Sequence, residues 1–341
     1  MPRQVVFLVH GIGDHKKGWS KPVVKYLDTV GERYASVEGP ISDQVVFKEI
    51  AYGDVFDKQL ARWDADVDAV AANGIVPQAK DAVAWMDGIT EGGFVWTHLG
   101  DVVLFLSRKT RAAAVSEVVA QMARVIADDN DPDTEFSIIA HSMGTAMTME
   151  AVNALATPIP GIGWTGLPPD FRFREVMMLS NTSRFLQRPD LRADIESRLL
   201  PKKLRTTGLC STYRNVFHQR DPVSWVRRFS LTATTDAGYL AVPIEHYHAR
   251  NIHGFTHYLE HPAVHGAVLR LPRAANLPLP AWRKAIDEYS GPRKFGGEFV
   301  KPAEVASFVG DLDQTVQPDP ESEIDLVGQL KYVAELLRKM L

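Results

Sequence analysis

Apolar runs alternating with amphipathic stretches set the rhythm of the chain. Val5–Val9 is continuously apolar and ends in His10-Gly11, which predicts a fully buried strand followed by a tight turn. An amphipathic stretch around Val23–Ala35 predicts a helix, and Val45–Tyr52 a second strand. Val115, Val118, Val119, Met122 and Ile126 recur at helical spacing on one face, and Asp128–Asp133, with Pro132 inside it, ends that helix in a turn. Phe136-Ser-Ile-Ile-Ala-His141 is then a strand, Gly144–Leu155 a helix, and Glu175–Ser180 a strand. Tyr213–His218 is another, leading to Asp221, and either Tyr239–Ile244 or the overlapping Ile244–Ala249 supplies the last. Strands alternating with helices imply an α/β fold with a mostly parallel sheet and helices on both faces.

Two stretches break the rhythm. From about 53 to 111 the chain carries Trp63, Trp85, Trp96 and the pair Gly92-Gly93, and from 181 to 211 it is polar and partly helical. Both read as lid-like insertions into a domain spanning 1–271. Aromatic lining of the first suits an apolar group, although packing on the sheet edge accounts for tryptophan equally well. After Leu271, prolines punctuate a C-terminal extension, 272–341, whose Leu326, Leu330, Val333, Leu337 and Met340 form a terminal apolar stripe. That stripe suits docking onto the main domain or a contact with a second copy of the chain.

The chemistry centres on Ala140-His-Ser-Met-Gly144. A serine in a sharp strand-to-helix turn needs small residues two positions to either side, because larger ones collide with the crossing backbone; Ala140 and Gly144 meet that need. A serine hydroxyl is a weak nucleophile at neutral pH, so it requires a base and an acid that orients the base. Asp221 and a histidine from Asn251-Ile-His-Gly-Phe-Thr-His-Tyr-Leu-Glu-His-Pro262 follow in chain order. His10-Gly11 supports an oxyanion turn.

In this order of parts the chain resembles the α/β-hydrolase superfamily, and within it the lipase and esterase-like serine hydrolases. The resemblance covers roughly residues 4–270. It implies Ser142 as nucleophile, Asp221 as acid and His257 as base, with His253 as the alternative base. It also implies an oxyanion hole from the backbone N–H groups of Ile12 and Met143, and hydrolysis of carboxylic esters with no cofactor. Acyl transfer, thioester or amide cleavage on the same triad, and a non-catalytic binding module on the same scaffold, are the other readings.

Composition narrows this further. A net charge of −4 carries no polyanion-binding footprint, so nucleic acid is not expected as a partner, and the basic stretch Arg184–Arg205 reads as a solvated face. The single cysteine, Cys210, excludes an internal disulfide, and the apolar run at 5–9 is too short for a signal core or a membrane span, so a cytoplasmic protein is expected. Of eleven histidines, His246, His248, His253, His257, His261 and His265 cluster near the last helical segment. On one helix the last three would share a face and could take a metal. Pro262 interrupts that run, and a helix starting near Leu259 leaves His257 in the loop where a base belongs, so no metal is expected.

Overall fold

The computed structural model describes residues 3–11, 17–34, 39–58, 108–129, 131–186, 195–196, 198–201, 208–219, 221, 229, 238–245, 253–272 and 277–290. The chain divides into two compact units: Met1–Gly11, His15–Ala51 and Val115–Gly296, and Ile12–Asp14, Tyr52–Ala114 and Gly297–Leu341. Within the second, the described residues form a helical stretch over 53–58 and the first turns of a longer helix from Arg108. Trp63, Trp85, Trp96, the Gly92-Gly93 pair and the C-terminal stripe lie outside the described residues.

Among the described residues the first unit is built on six strands, β1 (Gln4–Val9), β2 (Val45–Ile50), β3 (Glu135–His141), β4 (Phe173–Leu179), β5 (Cys210–His218) and β6 (Tyr239–Ile244). All neighbours pair in parallel, in the order β2-β1-β3-β4-β5-β6. Of the two alternatives for the last strand, Tyr239–Ile244 is the one formed. Among the described residues it stands at the edge of the sheet, a position that tolerates Pro243.

Parallel strands need helical crossovers, and the sequence supplies α1 (Lys21–Gly31), α2 (Arg108–Asp128), α3 (Met143–Leu155), α4 (Ser183–Leu186), α5 (Phe255–Glu260), α6 (Pro262–Leu269) and α7 (Leu279–Ser290). Two helices start earlier than their apolar pattern suggests. Pro22 sits in the first turn of α1, where its missing N–H costs nothing, and α3 begins directly after Ser142.

One face of the sheet, carrying Val6, Leu8, Ile139, Met177, Leu179, Val216, Val242 and Ile244, packs into a core with Val23 and Leu27 of α1, Tyr258 and Leu259 of α5, and Val264 and Val268 of α6. Beyond Leu271, Leu277 and Tyr289 join the same core. Side chains alternate along a strand, so Tyr213, three residues before Val216, points to the opposite face. There its hydroxyl meets the Met149 sulfur of α3 at 3.9 Å. Met143–Met149, Ala151, Val152 and Leu155 are all buried, the signature of a helix enclosed on every side. Helices thus cover both faces.

Such close packing of α3 depends on Gly144. A Cβ there would lie 2.1 Å from the His10 carbonyl oxygen and 2.9 Å from that of Val9. In an open helix Gly→Ala gains close to 1 kcal/mol from propensity. At this position the backbone must move instead, and we expect Gly144→Ala to lower unfolding stability by about 3 kcal/mol, read as a shift of the urea midpoint at constant slope. A stability equal to or above wild type contradicts the close approach.

Candidate active site

The strand order reverses at β1: the chain passes from β1 outward to β2, then returns to lay β3 on the other side of β1. In open parallel sheets a ligand sits outside the carboxyl ends of the strands at such a switch point. Gly11 follows β1 and Ser142 follows β3, and a Cβ on Gly11 would stand 2.7 Å from the Cβ of Ser142. Room for the elbow is thus made across strands as well as along the chain.

Ser142 has φ 53° and ψ −128°, in a region that side-chain-bearing residues rarely adopt. Conformations of this kind cost about 1–3 kcal/mol and persist only where surrounding bonds fix them. Here the Ser142 N–H donates to the Leu179 carbonyl at 2.9 Å, and the Ser142 carbonyl accepts from the hydroxyls of Thr145 at 2.6 Å and Thr182 at 2.9 Å. The elbow is therefore pinned from both β4 and α3, and it turns the serine hydroxyl toward a histidine.

That histidine is His253, the expected alternative. Its Nε2 lies 2.8 Å from Ser142 Oγ, and its Nδ1 lies 2.7 Å from Oδ2 of Asp221. His257, the first expectation, is not at the serine. Gly254 is the N-cap of α5, which starts at Phe255 rather than near Leu259, so His257 falls inside the helix and His253 in the loop before it. His257 is buried, with its ring centred 5.3 Å from that of His218. The sequence signal for this boundary is Gly254 itself, between the histidine and a stretch of helix-competent residues that runs to Pro262.

Asp221 is fully buried just beyond β5, with its N–H donating to the His218 carbonyl at 3.2 Å. Burial pushes its carboxyl up, but the charge of His253 and the hydrogen bonds from His253, Tyr258 and Ser180 outweigh this and bring it down to about 2. At neutral pH it is a carboxylate that can only accept. Consequently Nδ1 of His253 carries its proton toward Asp221, and the Nε2 lone pair faces the Ser142 hydroxyl.

Two groups that the sequence reading did not single out also reach Asp221. The hydroxyls of Ser180 and Tyr258 each donate to Oδ2 at 2.7 Å. Burial, reinforced by the charge of Asp221, raises the Tyr258 phenol well above its ordinary value, so it stays a donor. Neither residue has a local sequence signature.

The other expected residues fall into place around this chain of bonds. His10 donates from Nδ1 to the Gly11 carbonyl at 2.6 Å and meets Trp19 edge-on, as befits a residue that shapes the turn. His141, beside the serine, donates from Nε2 to the His253 carbonyl at 2.6 Å and so holds the loop that carries His253. Ala140 and Met143 are buried at either side of the elbow. Ile12 lies outside the described residues, as do His246 and His248. The remaining clustered histidines are dispersed: His261 accepts the Ala263 N–H at the start of α6, and His265, which burial lowers to about 4, pairs with the Tyr34 hydroxyl at 2.7 Å.

Comparison with known families agrees with the parallel α/β sheet. Residues 75–208 match a family described as "Alpha/beta hydrolase of unknown function (DUF900)". The matched segment contains Ser142 and Ser180, whereas Asp221 and His253 lie beyond it. No curated protein matches the chain significantly. Among the described residues no helix is long and apolar enough to cross a membrane.

Proposed function

We propose that this chain, whose all-parallel α/β sheet fits an α/β-hydrolase fold, is a serine hydrolase cleaving carboxylic esters through Ser142, His253 and Asp221. One observation carries this reading: a single imidazole bridges a strained, buried serine at 2.8 Å and a buried carboxylate at 2.7 Å. A serine that merely turned the chain needs neither a base nor a rare backbone conformation.

In this mechanism the Ser142 oxygen adds to the ester carbonyl while its proton passes to Nε2 of His253. Asp221 stabilises the imidazolium that forms and keeps the ring oriented. The negative oxygen of the tetrahedral adduct is met by the backbone N–H of Met143, at the N-terminus of α3. Loss of one such donor typically costs about 3 kcal/mol of transition-state stabilisation. His253 then returns the proton to the leaving alcohol, and water repeats the steps to release the acid. Thioester and amide cleavage use the same groups, so a substrate panel decides among them.

The test is fluorophosphonate labelling of the full-length protein, with the labelled peptide mapped by mass spectrometry. Labelling at Ser142 in the folded protein, lost on heat denaturation, is the expected result. Well-folded protein that neither labels nor hydrolyses p-nitrophenyl esters overturns the proposal in favour of a non-catalytic scaffold.

A further inference from the structure

We propose that Ser180 and Tyr258 are positioning residues: two hydroxyls that clamp Asp221 Oδ2 and fix the Nδ1–H of His253, on the serine-hydrolase reading given above. The sheet order explains why a clamp is needed. Ser142 follows β3 and Asp221 lies beyond β5, so the two are separated by the width of β4. Neighbouring strands stand about 4.8 Å apart, and the acid and the nucleophile are thus too distant to fix one another. Ser180 follows the intervening strand β4, directly in the gap.

From there it touches both halves of the dyad. Its Oγ donates to Asp221 Oδ2 at 2.7 Å and stands 3.1 Å from His253 Nδ1, where its lone pair accepts a share of the same N–H that Asp221 holds. A ring rotated away from the productive tautomer loses both acceptors. Ser180 also has φ 49°, a left-handed value that glycine adopts without cost. A side chain at this position is disfavoured on backbone grounds, and the use made of its hydroxyl supplies the compensation.

Tyr258 closes the clamp from the other direction. It sits on α5, in the segment that also provides His253, and its hydroxyl donates to Asp221 Oδ2 at 2.7 Å while accepting the His218 N–H at 3.3 Å. The loop bearing the base is therefore tied to the end of the strand that delivers the acid. Three donors, His253 Nδ1, Ser180 Oγ and Tyr258 OH, converge on one carboxylate oxygen at 2.7 Å each. That oxygen can move only if all three bonds break together.

The experiment compares Ser180→Gly and Tyr258→Phe with wild type in ester kinetics and in one-dimensional proton NMR of the low-field Nδ1–H resonance, assigned by its absence in His253→Ala. Glycine removes the hydroxyl and relieves the backbone, and phenylalanine keeps the ring, so both variants are built to fold. Since a hydrogen bond to a charged group contributes on the order of a tenfold factor, each variant is expected to lose about 10-fold in kcat with KM little changed. The Nδ1–H resonance is expected to shift or broaden in both. A resonance at its wild-type position in both variants overturns the clamp, whatever happens to kcat or melting temperature. A resonance that moves in a protein with no ester turnover leaves the clamp standing and defeats the functional reading instead.

Discussion

His253→Ala is expected to lower kcat for ester hydrolysis by about 10⁴-fold and to abolish fluorophosphonate labelling at Ser142, while His257→Gln is expected to leave both close to wild type. The first effect follows from the 2.8 Å contact between His253 Nε2 and Ser142 Oγ, because without an acceptor in that place the hydroxyl keeps its proton when it attacks. What remains is the contribution of binding and of the oxyanion donors. His257 differs in kind: it is buried against His218 within α5, so replacing it disturbs packing. A loss of stability of about 1 kcal/mol is expected there, with the rate largely retained. The measurement is steady-state kinetics on purified variants with the folded fraction checked by near-ultraviolet circular dichroism. A fully active His253→Ala, or an inactive but well-folded His257→Gln, reverses the assignment.

The histidine is also where the sequence was least legible. The elbow at Ser142 was readable because its requirements are local: small residues at Ala140 and Gly144, an apolar strand before and a helix after. Apolar strands such as Val5–Val9 and Val176–Leu179 were readable for the same reason, and Asp221 stands just beyond the end of the more polar β5. Choosing between His253 and His257 depends instead on where one short helix begins. A start at Phe255 instead of Leu259 moves His257 from loop to helix. Periodicity fixes such boundaries poorly when the helix spans only six residues and is enclosed by core.

Ser180 and Tyr258 were illegible for a different reason. Their roles arise from the order of strands in space, since Ser180 matters only because β4 lies between β3 and β5, and the parallel order is a property of the whole sheet. No carboxylate directly follows β4 in the sequence, and the polar group there is the Ser180 hydroxyl, which donates to the carboxylate of Asp221 beyond the next strand. The need for a small residue at Gly11 is likewise tertiary. Its missing Cβ makes room for Ser142 across the sheet, some 130 residues further along the chain.

Asp221→Asn is expected to lower kcat by about 10⁴-fold with little change in KM, because a neutral amide neither stabilises the imidazolium nor enforces the Nδ1–H tautomer. Its effect on stability carries the sign of the charge. In the folded protein the carboxyl is held to about 2, against about 3.9 for an unstructured aspartate. A group whose pKa falls on folding contributes stability that is complete above its unfolded value and lost as pH drops through its folded value. Wild type should therefore exceed Asp221→Asn in stability at neutral pH, and the margin should shrink between about pH 4 and pH 2. Urea midpoints of both proteins at several pH values across that window measure the margin. Converging curves mean that the buried carboxylate is ionised in the native state, as an acceptor of three hydrogen bonds must be. Parallel curves mean that Asp221 is protonated when folded, in which case it cannot hold the His253 proton and the orientation of the base has another source.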